Sequence, residues 1–235
     1  MQGSGTHAAP ASAALRQATG LAQHAGGLWQ HALATQPLPP RWLVLVSGAV
    51  ALAAVLSPRA WRVARIVVTI VHESGHALVA LATGRHLAGV RLYRSTAGVT
   101  ESAGKATGPG IVLTSAAGYP APSLLGLGAA ALLSVGHLTA LLLLSLVLLA
   151  GLLIAIRNAY GMVAVLVTGG AIAAVSLLAA PVVQAGFGYV MTWFLLLGGV
   201  RPVIELQGER RRGGSRRTDA GVSTGIGGNV RRRPP

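Results

Sequence analysis

The sequence predicts an all-α polytopic membrane protein with about six transmembrane helices and a short β-hairpin after the second. Three observations lead there. Of the 235 residues, 52% are hydrophobic and only 10% are charged, whereas soluble domains carry about a quarter charged residues. The mean hydropathy is +0.62, and the apolar residues fall in blocks that approach the roughly 20 residues needed to cross a bilayer. The charge is also segregated: of 19 Lys and Arg residues, nine follow residue 200, and the net charge is +14.

Residues 1–40 are rich in Ala, Gly, Gln and His and end in "QPLPP". They read as a poorly ordered segment or a surface helix around 11–35 that stops at the prolines. His7, His24 and His31 are too scattered for a metal-binding tract. The segment lacks the charged start and short apolar core of a signal peptide, so the first span is expected to remain as a membrane helix. A transmembrane domain then fills 41–200, with spans expected at 42–57, 63–84, 110–135, 138–156, 159–179 and 182–200. The first is short and ends at "SPRAWR". The third opens with "GPGIVLTSAAGYPAPSLLGLG" and is expected to break near Pro120 and Pro122. Irregular backbone at that depth is tolerated only inside protein or beside a watery cavity. The fourth has the uniform Leu content of a lipid-facing helix. Residues 201–235 form a basic tail.

Between spans two and three, "VRLYRSTAGVT" alternates in strand fashion at Val90 and Leu92, with Gly98 placed at a turn. A hairpin there would offer an edge to which an extended peptide could add; a basic connecting loop is the other reading. Arginines in short loops set orientation. Six spans put both termini on one side, and the arginine tail makes that side cytoplasmic, together with Arg85, Arg91, Arg94, Lys105 and Arg157. Arg59, Arg62 and Arg65 disagree, because they would lie outside. Arg157 and Arg201 read as cytoplasmic anchors at span ends. The tail carries no aromatic platform among its arginines, so anionic lipid rather than nucleic acid is the expected partner. The absence of cysteine excludes disulfides, thiolate catalysis and Cys-ligated zinc.

The chemistry is concentrated in "IVVTIVHESGHALVALATGR", residues 66–85. His72 and His76 are four residues apart, so on a helix they share a face and can aim both imidazoles at one ion. Glu73 lies about 100° round the helix, near the ion without having to bind it. This is H-E-x-x-H: two zinc ligands and a carboxylate that takes a proton from zinc-activated water. A structural alternative is a set of buried polar groups satisfied by hydrogen bonds. Charged groups cost about 2.5–3.5 kcal/mol at a membrane-helix centre, which favours a functional role. Ser74 and Gly75 between them are small enough for close approach of another helix or a substrate.

At "VHESGHALVALATGR" the chain resembles the site-2 protease family of intramembrane zinc metallopeptidases. "VRLYRSTAGVT", "AAGYPAPSLLG", "RNAYG" (157–161), "LGGVRPVIEL" (197–206) and "TDA" (218–220) are similar to its compact, mainly bacterial branch. The resemblance covers roughly 60–220. It implies Zn2+ as cofactor, His72 and His76 as ligands, Glu73 as catalytic base, and a membrane-protein or membrane-anchored peptide substrate at the lipid bilayer of the cell. Better-known members supply an Asp as third ligand from N-P-x-x-D-G or L-D-G, and this chain has neither. Asp219 in "TDA" matches the compact branch, while Asn158 and His137 are weaker alternatives. The five acidic residues are Glu73, Glu101, Glu205, Glu209 and Asp219; the other three Glu read as solvated carboxylates. Three classes are thus weighed: a zinc endopeptidase, an inactive relative acting as a membrane scaffold or binding protein, and an ion transporter, the last lacking any inverted repeat.

Overall fold

The computed structural model describes residues 34–208 apart from 96, 106 and 206, together with Thr19 and Gln30. Most of the helix expected around 11–35, the scattered His7, His24 and His31, and the tail bearing Glu209 and Asp219 lie outside the described residues. In chain order the elements are α1 (Arg41–Leu56), α2 (Pro58–Ala82), β1 (His86–Leu92), β2 (Gly98–Ala103), α3 (Pro109–Ala116), α4 (Ala121–Ser134), α5 (Leu138–Ala155), α6 (Ala159–Leu178) and α7 (Pro181–Gly198). Four helices are long and apolar enough to cross a membrane: α2, α5, α6 and α7 with its continuation to Glu205. The pair α3–α4, bent by 71°, makes a fifth. The expected six is reached only by counting α1, whose 16 residues are bounded by Pro40 before it and the Ser57–Pro58 step after it.

The site helix, α2, is delimited by its own sequence. The Ser57 side chain accepts a hydrogen bond from the Ala60 N–H, and Pro58 occupies the first turn, where its missing N–H costs nothing. At the other end Gly84 takes a left-handed conformation with φ 71°. The Arg85 N–H then reaches the Ala80 carbonyl and the Gly84 N–H the Leu81 carbonyl, a Schellman closure. "TGR" is therefore a helix stop. Arg85 continues as a clasp, donating from Nε to Ser102 Oγ and from its guanidinium to the Lys105 carbonyl.

The stretch after α2 is a hairpin, as the alternation predicts, with β1 and β2 antiparallel and Val90 opposite Thr100. Val90 and Leu92 are fully buried against Ile70 and Ala77 of α2, Leu152 and Ile156 at the end of α5, and Val165 of α6. Beyond Leu92 the Tyr93 N–H donates to the Ala97 carbonyl. Gly98 is thus the first residue of β2 rather than a turn position.

"RNAYG" holds the outer edge of β1. Ile156 bridges Val90 in parallel, and the Arg157 N–H donates to the Val90 carbonyl. Asn158 accepts from the Leu92 N–H at 3.1 Å and donates to the Leu92 carbonyl at 2.6 Å. Arg157 donates to the Ala88 and Ile154 carbonyls, so it is a clasp on the hairpin as well as a basic group at a span end. Asn158→Ala leaves two buried backbone groups of Leu92 without partners, each costing about 1–3 kcal/mol. Thermal unfolding of the detergent-solubilised variant is expected to begin about 5–15 °C lower; an unchanged midpoint would show that the hairpin is held elsewhere.

The remaining helices pack through small residues. Gly126 of α4 lies against Leu195 and Leu196, and Gly199 against Ser123, so α4 and α7 are antiparallel. In contrast α1 runs parallel to α7, with Ser47 bonded to the Gly186 carbonyl near one end and Arg201 bonded to the Val55 carbonyl at the other. Arg201 also stacks 4.7 Å from the Trp61 ring centre and pairs with Glu205 at 3.0 Å. This clasp joins α1, α2 and the end of α7, a larger role than the anchor expected of it.

The parallel run of α1 and α7 departs from the alternation that six successive spans require. Gln36 bonds Gly136 and Thr139 at the α4–α5 turn, the end of α1 opposite its contact with Arg201. Arg59, Arg62 and Arg65 lie in the first turns of α2, beside Trp61 and its Arg201 partner. Leu138 of α5 lies over Gly188, so the α4–α5 turn sits beside the start of α7.

An apolar cavity of about 600 Å³ lies between α2 and α4–α7, lined by residues such as Ile70, Leu125, Leu148 and Met191. It occupies the face of α2 turned away from His72 and His76.

Candidate metal centre

Helical spacing does what it predicts for the two histidines. His72 Nε2 and His76 Nε2 are 3.1 Å apart, with the rings edge to face. Zinc–nitrogen bonds of about 2.0–2.1 Å at a tetrahedral angle place two ligand nitrogens about 3.3 Å apart. The pair therefore fits two positions of a zinc coordination sphere with almost no rearrangement. His76 Nδ1–H donates to the Thr114 carbonyl at 2.6 Å. A carbonyl can only accept, so the proton sits on Nδ1 and the Nε2 lone pair is left for an ion, the usual way a ligand imidazole is oriented.

That carbonyl is available because the third span breaks, as expected, ahead of Pro120. Carbonyls in the last turn of α3 have lost their helical donors, and Thr114 offers its own to His76. α3 runs alongside α2 in the opposite sense, with Thr114 at His76 and Gly118 at His72. Gly118 lies so close that a Cβ there would overlap both Nε2 atoms. Tyr119 meets the His72 ring edge-on at 5.0 Å between centres. Gly75 has the role its size suggests: it is covered by Ala117 and Ala121 at the break, where no side chain would fit. Ser74 returns its hydroxyl to the Ile70 carbonyl.

Glu73 is held by a different element. It is 4% exposed, and Thr100 of β2 donates its hydroxyl to Oε2 at 2.6 Å. Gly98 lies directly on the carboxylate, leaving no room for a side chain. One face of α2 thus carries two imidazoles aimed at a common point, with a carboxylate next to them whose second oxygen is fixed from the hairpin.

Among the described residues no group of three His, Cys, Asp or Glu side chains converges on one point. Asp219 lies outside the described residues. The Asn158 amide is turned to the Leu92 backbone on the outer edge of β1, accepting from its N–H and donating to its carbonyl. His137 caps the start of α5 on the α4–α5 turn, away from the break. Glu101 pairs with Arg91 at 3.7 Å on the exposed face of the hairpin, and Glu205 pairs with Arg201. Sequence reasoning missed Gly98, Thr100, Thr114, Gly118 and Tyr119. Their only signals were the strand pattern of "STAGVT" and the Gly–Tyr–Pro step in an apolar run.

No curated protein and no solved structure matches the chain. The sequence does match the family described as Peptidase M50B-like over residues 45–227, a stretch that contains the histidine pair, Glu73, the hairpin, the broken span and Asp219. The chain therefore belongs to the Peptidase M50B-like family, the site-2 protease type of membrane peptidase.

Proposed function

We propose that this protein is an intramembrane zinc-dependent endopeptidase that hydrolyses peptide bonds of membrane-associated proteins. His72 and His76 hold the ion, Asp219 completes the protein ligands, and Glu73 is the catalytic base. The observation that carries the reading is the 3.1 Å approach of the two Nε2 atoms, beside a carboxylate positioned by Thr100. When bound, zinc would lower the pKa of a water to about 7 and polarise the peptide carbonyl.

The chain's own residues do the rest. Glu73 takes the proton of the attacking water and returns it to the leaving amine, with Thr100 holding Oε2 so that Oε1 carries the proton. The Thr114 carbonyl keeps His76 in the required tautomer. The backbone break at Ala117–Pro120 lines the water path. The outer edge of β1 is occupied by Ile156–Asn158, which leaves the edge of β2 to receive an extended substrate.

We assign 41–200 to the peptidase-like domain, 1–40 to a preceding segment and 201–235 to a basic tail. The protein is a multi-pass cell-membrane protein whose Arg201 end, with Arg59 at the start of α2, faces the cytoplasm. Elemental analysis of detergent-purified protein tests the site. About one zinc per chain, lost in both His76→Ala and Asp219→Ala, is the expected result. Loss in His76→Ala alone would overturn Asp219 as the third ligand. No zinc in the unaltered protein after zinc is supplied would overturn the zinc reading.

A further inference from the structure

We propose that Arg65 and Arg62 form a subsite that reads an acidic side chain of the substrate, about three to five residues from the bond cleaved. The proposal rests on the peptidase reading of the His72–His76 site and names what that site selects.

Arg62, Arg65, Thr69, His72 and His76 follow one another at steps of three and four along α2. At 100° per residue they fall within one narrow arc of the helix surface. Arg59 is off this stripe, as are the apolar residues that line the cavity on the other face. Arg62 is exposed and Arg65 half-buried, and the half-buried Thr69 and His72 continue the stripe to the site. The rise of 1.5 Å per residue puts Arg65 about 10 Å and Arg62 about 15 Å from His72 along the axis. An extended peptide advances about 3.3 Å per residue. A substrate strand leaving the histidine pair along this face therefore passes Arg65 after about three residues and Arg62 after about five.

The hairpin determines which half of the substrate does so. β2 begins with Gly98 on the Glu73 carboxylate and proceeds to Ser102, which is bonded by Arg85 beyond the end of α2. It therefore covers α2 forward of Glu73 and leaves the stretch from Thr69 back to Arg62 to the other half of a bound chain. Nothing in the protein neutralises these two guanidiniums among the described residues. Glu101 pairs with Arg91, Glu205 with Arg201, and Glu73 is bonded to Thr100. A carboxylate can engage a guanidinium in a two-point hydrogen bond that an amide cannot reproduce.

Binding is measured by fluorescence anisotropy to detergent-purified E73Q protein, so that the probe is not consumed. The probes are labelled peptides of Ala, Val, Gly and Thr carrying one Asp, or one Asn, at successive positions. An Asp peptide is expected to bind about tenfold more tightly than its Asn counterpart. The preference should fall with added salt, vanish in E73Q/R62Q/R65Q, and persist in E73Q/R62K/R65K at reduced strength. Equal binding of the Asp and Asn peptides, or a preference untouched by R62Q/R65Q, overturns the proposal. So does loss of phosphatidylglycerol adducts in the R62Q/R65Q protein with the Asp preference intact, which would make the pair a lipid-headgroup site. Cleavage of the same peptides by protein with Glu73 intact is scored separately, and its absence would count against the peptidase reading without altering the binding result.

Discussion

Replacing Glu73 with Gln is expected to slow peptide hydrolysis by about 10²–10⁴-fold while leaving zinc content and folding intact, the range typical of losing a general base. The structure makes this a clean substitution. Gln has the shape of Glu, and its amide carbonyl can still accept from the Thr100 hydroxyl that now bonds Oε2. The buried hydrogen bond is therefore kept, and the NH₂ group occupies the position against Gly98. What is lost is the ability of the second oxygen to accept a proton. His72 and His76 keep their geometry, because neither depends on the carboxylate; His76 is oriented by Thr114. Turnover of a membrane-tethered reporter together with zinc per chain checks both halves. Wild-type turnover in the variant would remove Glu73 from the chemistry and favour a non-catalytic role for the protein.

The second large effect is expected from a single methyl group. Gly118→Ala places a Cβ on top of both Nε2 atoms, in the space an ion would share with them. Neither side can retreat. His76 is tied through Nδ1 to Thr114, and Gly75 is already packed against Ala117 and Ala121 at the same break. The variant is expected to lose zinc affinity by at least the 10–100-fold typical of disturbing the groups around a metal ligand. Helix content should remain normal, since the backbone of the broken span keeps its hydrogen bonds. Gly128→Ala is the matched control: a Cβ at Gly128 meets nothing within 4 Å. Chelator competition on the two variants is the measurement, and equal retention of zinc by Gly118→Ala would show that the ion, if held, sits away from the histidine pair.

The histidine pair was legible because H-E-x-x-H is a local pattern: once the segment is helical, four-residue spacing fixes the relative position of the two rings. The hairpin was legible for a similar reason, since the alternation of Val90 and Leu92 states which face goes inward. Gly98 was misplaced at the turn because glycine has two uses, positive φ and close approach, and only the position of α2 distinguishes them. Asn158 looked like a weak ligand because its carbonyl oxygen is visible in sequence, while its partners, the two backbone groups of Leu92, are 66 positions away. Likewise "RNAYG" and "LGGVRP" were recognisable as motifs but not as clasps.

The direction of the helices was the other thing hidden. Counting apolar blocks and alternating them is a rule about successive crossings. The packing of α1 along α7 in the same sense depends on small and polar contacts such as Ser47 with Gly186, which composition does not reveal. The membrane class, the helical segments, the hairpin and the three residues of H-E-x-x-H were readable along the chain, because each follows from composition or from periodicity within one element. Only packing between distant segments decided that a broken span donates its stranded Thr114 carbonyl to His76, that β2 brings Thr100 to Glu73, and that Arg201 ties α1, α2 and the end of α7 together. Those arrangements join elements tens of residues apart, and packing, rather than local propensity, selects among the ways of joining them.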